Sequence, residues 1–321
     1  MAGSDYLPAV LAPPRHRPSA LDFDRSSYWL RRLLPVLRLR AQPPAPRPAA
    51  SVRAAKRLNR AAGVLATSVL ADSAVEHYRG AFHNPAMVLP LLSSALSLGV
   101  SAHGVADPRH EAHRVRDGVY ALAAVTGIVG TGFHIYNVFK RPGGFTWENL
   151  FYSAPLGAPM ALLLSGATGF LAERVRENQP GNLPRIAGLP AGRVVAAATG
   201  AGLIGTVAEA GLLHFRGAYH NPFMFAPVTI PPVTAALMGG VALGRAAEPR
   251  RKTRWWLRLT ALLGFAGAGF HIYGVSRNMG GWRNWSQNLL NGPPIPAPPS
   301  FTGLALAGLA ALGLLEEHPD D

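Results

Sequence analysis

Six histidines recur in this chain at a fixed spacing, and imidazole is the side chain best suited to ligating a transition metal or haem iron, or to carrying a proton near neutral pH. His77-Tyr78-Arg79-Gly80-Ala81-Phe82-His83-Asn84-Pro85-Ala86-Met87 returns as His214-Phe215-Arg216-Gly217-Ala218-Tyr219-His220-Asn221-Pro222-Phe223-Met224, identical at eight of eleven positions. Gly132-Phe133-His134-Ile135-Tyr136-Asn137-Val138 returns as Gly269-Phe270-His271-Ile272-Tyr273-Gly274-Val275, and both phrases are displaced by 137 residues. Outside them the halves match poorly, so the sequence is a tandem duplication whose copies agree mainly at histidine. Two acids keep the same offset, Asp72 and Glu209.

Part of the first phrase is helix punctuation. Gly80 and Gly217 stand where a helix must stop and predict the left-handed conformation; Asn84-Pro85 and Asn221-Pro222 read as an N-cap followed by proline in the first helical turn. Gly143-Gly144 and Gly280-Gly281 read as turns, and Trp147, Trp282 and Trp285 as interfacial aromatics. Punctuation requires neither the histidines nor Arg79 and Arg216.

The elements that must position these groups are membrane helices. Charged residues are 15% of the chain, well under the roughly 25% of soluble domains. Apolar runs near the roughly 20 residues that a bilayer requires fall at 60–78, 86–106, 118–139, 154–172, 194–214, 223–244, 256–276 and 299–315. The last is the weakest, because prolines 293–299 precede it. A soluble bundle is excluded by segments such as 222–244, which holds no ionisable residue and so has no polar face. The expected fold is all-α and integral to a membrane, with eight spans arranged as two parallel four-helix repeats, residues 58–190 and 191–321. Residues 1–57 form a basic, Pro/Arg-rich tail expected to be disordered, with Tyr28–Arg38 suited to lying on an anionic membrane surface. No signal peptide is expected, since no long uncharged apolar run precedes residue 61.

With a cytoplasmic N-terminus, 25 of the 31 Lys and Arg lie on the cytoplasmic face and six on the other, so both termini are expected in the cytoplasm of a bacterial cell. This distribution accounts for the net charge of +14 without nucleic acid, for which no motif is present. The repeated histidines then share the extracytoplasmic side. His134 lies about 9 Å inside its helix end, at a depth near that of Asp72, where ionisable groups normally face an interior, a partner or a cofactor.

The absence of cysteine removes thiolate ligands, iron–sulfur clusters and disulfides. The leading expectation is an electron-transfer subunit. His134 with His77 or His83, and His271 with His214 or His220, each ligate haem b or another transition metal and link an extracytoplasmic redox protein to quinone. Arg79 and Arg216 border the cofactor, and Asp72 and Glu209 serve as ligands or orient the imidazoles. Gly127, Gly130, Gly264 and Gly267 share a helix face with His134 and His271, a smooth strip that suits either a flat porphyrin or close helix packing. A transition-metal or proton-coupled transporter, with Met87 and Met224 as thioether ligands, is the second class, and a structural anchor for an extracytoplasmic partner the third. Neither a phosphate loop, a G-x-S-x-G elbow nor HExxH occurs.

The charge distribution makes a direct prediction. Single cysteines replacing Ala81 and Ala218 in this cysteine-free chain should react with an impermeant thiol reagent added outside the cell, and cysteines replacing Ala112 and Lys252 should not. The reverse pattern overturns the shared outer face.

Overall fold

The structure, a computed structural model, describes residues 49–178, 182–244 and 250–316. The expected tail segment Tyr28–Arg38 lies outside the described residues. The first half runs through α1 (Ala50–Arg79), α2 (Leu89–Ala106), α3 (Arg114–Phe139), the short α4 (Trp147–Tyr152) and α5 (Gly157–Arg176). The second runs through α6 (Ala191–Arg216), α7 (Ala226–Ala242), α8 (Arg250–Arg277), the short α9 (Trp285–Asn291) and α10 (Pro299–Glu316). A two-residue β-hairpin, Arg185–Ile186 with Leu189–Pro190, precedes α6.

Each expected apolar segment falls on a long helix, and six of these helices are long and apolar enough to cross a membrane: α2 and α7 with the single turns that precede them, α3, α6, α8 and α10. The other two, α1 and α5, are not, and charge is the reason. The first helix starts at Ala50 rather than near residue 60, so it takes in Arg53, Lys56, Arg57 and Arg60. Residues 50–57, expected in the tail, are helical because Val52, Ala54 and Ala55 continue the buried stripe of Leu58, Ala61, Ala62, Leu65, Ala66 and Val69 at a period of three to four. The last turn of α5 carries Glu173, Arg174 and Arg176.

In the first half α1 packs on α2 and α5, and α3 packs on α2 and α5; in the second, α6 packs on α7 and α10, and α8 on α7 and α10. The halves meet where α1 lies against α10 and α5 against α6. The weakest expected span, α10, is the most buried, with Leu304, Ala305, Ala307, Ala310, Ala311, Leu312 and Leu314 in the core. Outward faces carry large apolar side chains such as Leu92, Leu96, Val125, Ile128, Leu262 and Phe265, a surface matched to lipid rather than water.

The glycine strip serves helix packing. A Cβ on Gly127 would collide with the backbone nitrogen of Leu163 and stand 2.7 Å from Pro159 O, and one on Gly130 3.2 Å from Pro159 Cβ. In the second half Gly264 meets Pro298 O and the Thr302 nitrogen, both at 2.9 Å, and Gly267 meets Pro298 Cβ at 2.8 Å. Thus α5 and α10 occupy the space a porphyrin would need on that face, which corrects the porphyrin alternative. Gly127→Ala should lower the unfolding temperature in detergent by an amount equivalent to about 1–3 kcal/mol, since backbone must move to admit the methyl. Gly132→Ala, with open space at its Cβ, should leave it unchanged.

Candidate functional site

The two copies of the histidine phrase build the same turn. Residues 85–88 and 222–225 form single 3-10 turns capped by Asn84, which accepts from the Ala86 nitrogen at 2.9 Å, and Asn221, which accepts from the Phe223 nitrogen at 3.0 Å. The expected caps are present, but the expected left-handed glycines are not: Gly80 and Gly217 have φ of −81° and −83°. The left-handed conformation falls instead on Ala81 and Phe82 (54° and 46°) and on Ala218 and Tyr219 (56° and 46°). The tight reversal is closed by Phe82 N donating to His77 O and Tyr219 N to His214 O, both at 3.0 Å. Each pair of residues costs on the order of 1–2 kcal/mol per position, strain that surrounding contacts must hold. Glycine at 80 and 217 answers a different need, since the methyl of Met87 or Met224 packs about where a Cβ would go (3.1 and 3.0 Å).

The turn brings the next helix's backbone to the histidine. His77 Nδ1 lies 2.6 Å from Met87 O and His214 Nδ1 2.8 Å from Met224 O. On the neighbouring helices His134 Nδ1 lies 2.6 Å from Pro155 O and His271 Nδ1 2.6 Å from Pro294 O. A carbonyl only accepts, so each of these nitrogens donates its proton, and Nε2 of the neutral ring keeps its lone pair. Among the described residues no hydrogen bond to Nε2 of His77, His214 or His271 is present, while His134 also has the Ala154 backbone within hydrogen-bonding reach. His77 lies within electrostatic reach of His134, and His214 within reach of His271. Each half therefore presents two half-buried imidazoles, held by backbone and with the coordinating nitrogen unspent. His83 and His220 are exposed, their Nδ1 3.0 Å from Gly80 O and Gly217 O.

Other expected members are placed differently. Arg79 pairs with Glu76 at 2.8 Å on the surface, and Arg216 lies 5.5 Å over the ring of Phe151. Met87 and Met224 supply carbonyls to the histidines while their methyls pack on glycine. The acids do not orient the imidazoles, because carbonyls already do. Glu209 instead meets the start of α5: its carboxylate faces the backbone N–H groups of Leu156 and Gly157, and its Cγ sits 2.8 Å from where a Gly157 Cβ would be. Its Oε1 is buried without a hydrogen-bond partner. Asp72 has neither a hydrogen-bond nor an ion-pair partner among the described residues and lies within reach of Glu209. No group of three or more His, Asp or Glu among the described residues is arranged to hold a metal ion.

At the opposite end of the first half the structure assembles a site the sequence reading missed. Arg116, Glu173 and Arg176 are fully buried and Asp107 nearly so. Arg116 reaches Asp107 at 2.7 Å and Glu173 at 2.8 Å, while Arg176 donates to the carbonyls of Gly104, Asp107 and Arg109 at 2.7–3.0 Å. Glu173 also accepts from the His113 nitrogen at 3.0 Å, and the His103 and His113 rings meet edge to face at 5.3 Å. Tyr120 hydrogen-bonds both Asn59 and Ser101 beside this group. In the sequence Arg116 and Arg176 count among the 25 Lys and Arg expected on the cytoplasmic face. The available signal was comparison of the halves: 137 residues on, Asp107, Arg116 and Tyr120 become Gly244, Thr253 and Leu257.

No protein-family model matches this chain, and no curated protein or solved structure matches it.

Burial raises the carboxyl of Asp107, but hydrogen bonds from Arg109 and Arg116 and the Arg116 charge outweigh it and hold the group well below its ordinary 3.8. Asp107 therefore contributes stability that is full above pH 3.8 and is lost as pH falls toward the depressed folded value. Acid titration of unfolding should show this loss in the wild type. Asp107→Asn should be less stable at neutral pH and show a flatter acid limb.

Proposed function

We propose that the protein crosses the membrane eight times as two parallel four-helix repeats, and that each repeat binds a transition-metal centre at its histidine end as part of an electron-transfer subunit. Equivalent helix pairings in the two halves support the repeat. The single observation that carries the metal reading is the paired imidazoles: in each half two Nδ1–H groups are spent on backbone carbonyls and two Nε2 lone pairs are left to coordinate. That outer-sphere arrangement fixes tautomer and ring orientation, as ligating histidines require. His77 with His134, and His214 with His271, are the assigned ligands. A third ligand comes from the exposed His83 or His220, from water, or from the partner that delivers electrons. Haem b remains within this reading only on a face other than the glycine strip. Quinone and an extracytoplasmic redox protein are the proposed electron partners, consistent with the position of the histidines opposite the Lys/Arg-rich face.

The test is the purified wild type, by elemental analysis and by its visible spectrum, oxidised and dithionite-reduced. About one metal per repeat is expected, with His134→Ala and His271→Ala each removing roughly one equivalent while the protein stays in the membrane. If the histidines are struts, the substitutions should cost about 0.5–2 kcal/mol and leave composition unchanged. Protein with neither metal nor haem overturns the proposal.

A further inference from the structure

The buried face of α2 is made entirely of small polar residues and glycine: Ser93, Ser94, Ser97, Ser101 and Gly104. The serines are 0–3% exposed, while Leu89, Leu92 and Leu96 turn outward. Small residues alone mean close helix packing. Two observations go beyond packing. The serines are rungs of a polar column joining all four long helices of the first half: Ser101 Oγ lies 3.1 Å from Tyr120 Oη, Tyr120 donates to Asn59, Ser97 Oγ lies 3.0 Å from Ser165 Oγ, and Ser165 donates to Ala62 O at 2.9 Å. At its foot, Glu173 is fully buried and its Oε1 has no hydrogen-bond partner, with Arg176 Nε at 3.6 Å. Beside Glu173, the buried Nδ1 of His113 also lacks one.

The second half keeps the packing with a smaller polar set: Thr234, at the position of Ser97, lies 2.8 Å from Thr260 Oγ1, and Thr199 and Thr302 are also buried. Gly63 faces Ser101 as Gly200 faces Met238, and Gly169 faces Tyr120 as Gly308 faces Leu257. At the corresponding positions Asn59 becomes Ala196, Ser93 becomes Ile230 and Ser94 becomes Pro231. The two-residue shift that matches Pro159 to Pro298 sets Glu173 and Arg176 against Leu312 and Leu315. The same backbone thus packs with Ala196, Met238 and Leu257 where the first half has Asn59, Ser101 and Tyr120, so that part of the polar column answers a need other than packing.

We propose that the first repeat is a proton path between the cytoplasm and Asp72 at the histidine end, and that the second repeat is closed to protons. His103 and His113, beside Glu173, take up a proton at the cytoplasmic foot. It passes through Tyr120 and Ser101 to Ser97 and Ser165, then past Ser93 and Ser94 to Asp72. Successive serine rungs are one helical turn apart, about 6 Å, and Ser93 and Ser94 donate to the Leu89 and Pro90 carbonyls of their own helix, so transfer between rungs requires a hydroxyl to turn or a water to enter. At every step one O–H or N–H bond breaks as the next forms, and the proton leaves from Asp72, so nothing is oxidised or reduced. This rests on the membrane-spanning reading but not on the bound metal.

The test uses the full chain in sealed lipid vesicles holding a trapped pH dye, with a potassium diffusion potential set by valinomycin. Wild-type protein should raise proton entry about tenfold over protein-free vesicles, as an intramembrane relay does. Tyr120→Phe removes one hydroxyl without changing shape, and Ser97→Ala removes another; each should cut the protein-dependent flux severalfold, while Thr234→Val in the second repeat should not. Wild-type flux equal to that of protein-free vesicles, or variants as fast as wild type, overturns the proposal. Conduction by protein that carries no metal supports the path and sinks the metal reading alone; metal-loaded protein that does not conduct does the opposite.

Discussion

In helices of this apolarity a polar group has nowhere to turn but to another part of the protein. That constraint organises both ends of the molecule. At one end four imidazoles donate to carbonyls of the segments that lead into α2, α5, α7 and α10, those of Met87, Pro155, Met224 and Pro294. At the other, Arg176 gathers three carbonyls at the end of α2 and the loop after it. Helix ends leave such carbonyls and N–H groups without partners inside the helix, and side chains are their only substitute for water. The imidazole gains a fixed tautomer from this, so satisfying the backbone and presenting a coordinating nitrogen are one event.

The internal duplication separates what the backbone demands from what the side chains add. Gly63 and Gly200, Gly127 and Gly264, and Gly169 and Gly308 hold matching close approaches in the two halves. Those contacts fix helix spacing whatever else fills the core. Around them Tyr120 and Leu257 occupy like positions, both fully buried, one with a hydroxyl bonded to two neighbours and one with none to place. A buried hydroxyl left alone costs more than the hydrogen bond it would make. Asn59, Ser101 and Tyr120 therefore had to be polar together or apolar together, and each half shows one of these solutions.

How much of this was legible in sequence depends on the range of the interaction. The Asn84 and Asn221 caps and the paired turns at Gly143-Gly144 and Gly280-Gly281 are local patterns and stand as read, and six of the eight apolar segments fall on helices long and apolar enough to cross a membrane. Helix α1 begins earlier than read because its charged and buried residues interleave, and hydropathy averaged along the chain hides a stripe. The left-handed residues are Ala81 and Phe82 rather than Gly80, in a reversal closed by Phe82 N donating to His77 O, a placement the glycine pattern does not signal. The Arg116–Glu173 pair joins α3 to α5 across 57 residues of sequence. Only the fold brings such charges together; in the sequence they read as loop charge.

The two acids illustrate how equivalent positions diverge. Glu209 faces the first N–H groups of α5, where the helix dipole favours negative charge. The corresponding helix for Asp72 is α10, since Ser68, one turn earlier on α1, bonds Ser300 in the first turn of that helix at 2.9 Å. But α10 is entered through Pro298 and Pro299, which have no N–H to offer. The same repeat position therefore closes a helix end in the second half and leaves a carboxylate without backbone donors in the first. That uncommitted carboxylate stands on the helix that carries His77 and in the half that carries the polar column. A carboxylate without a fixed partner can accept and release a proton at little structural cost, whereas one that caps a helix loses its bonds when it protonates.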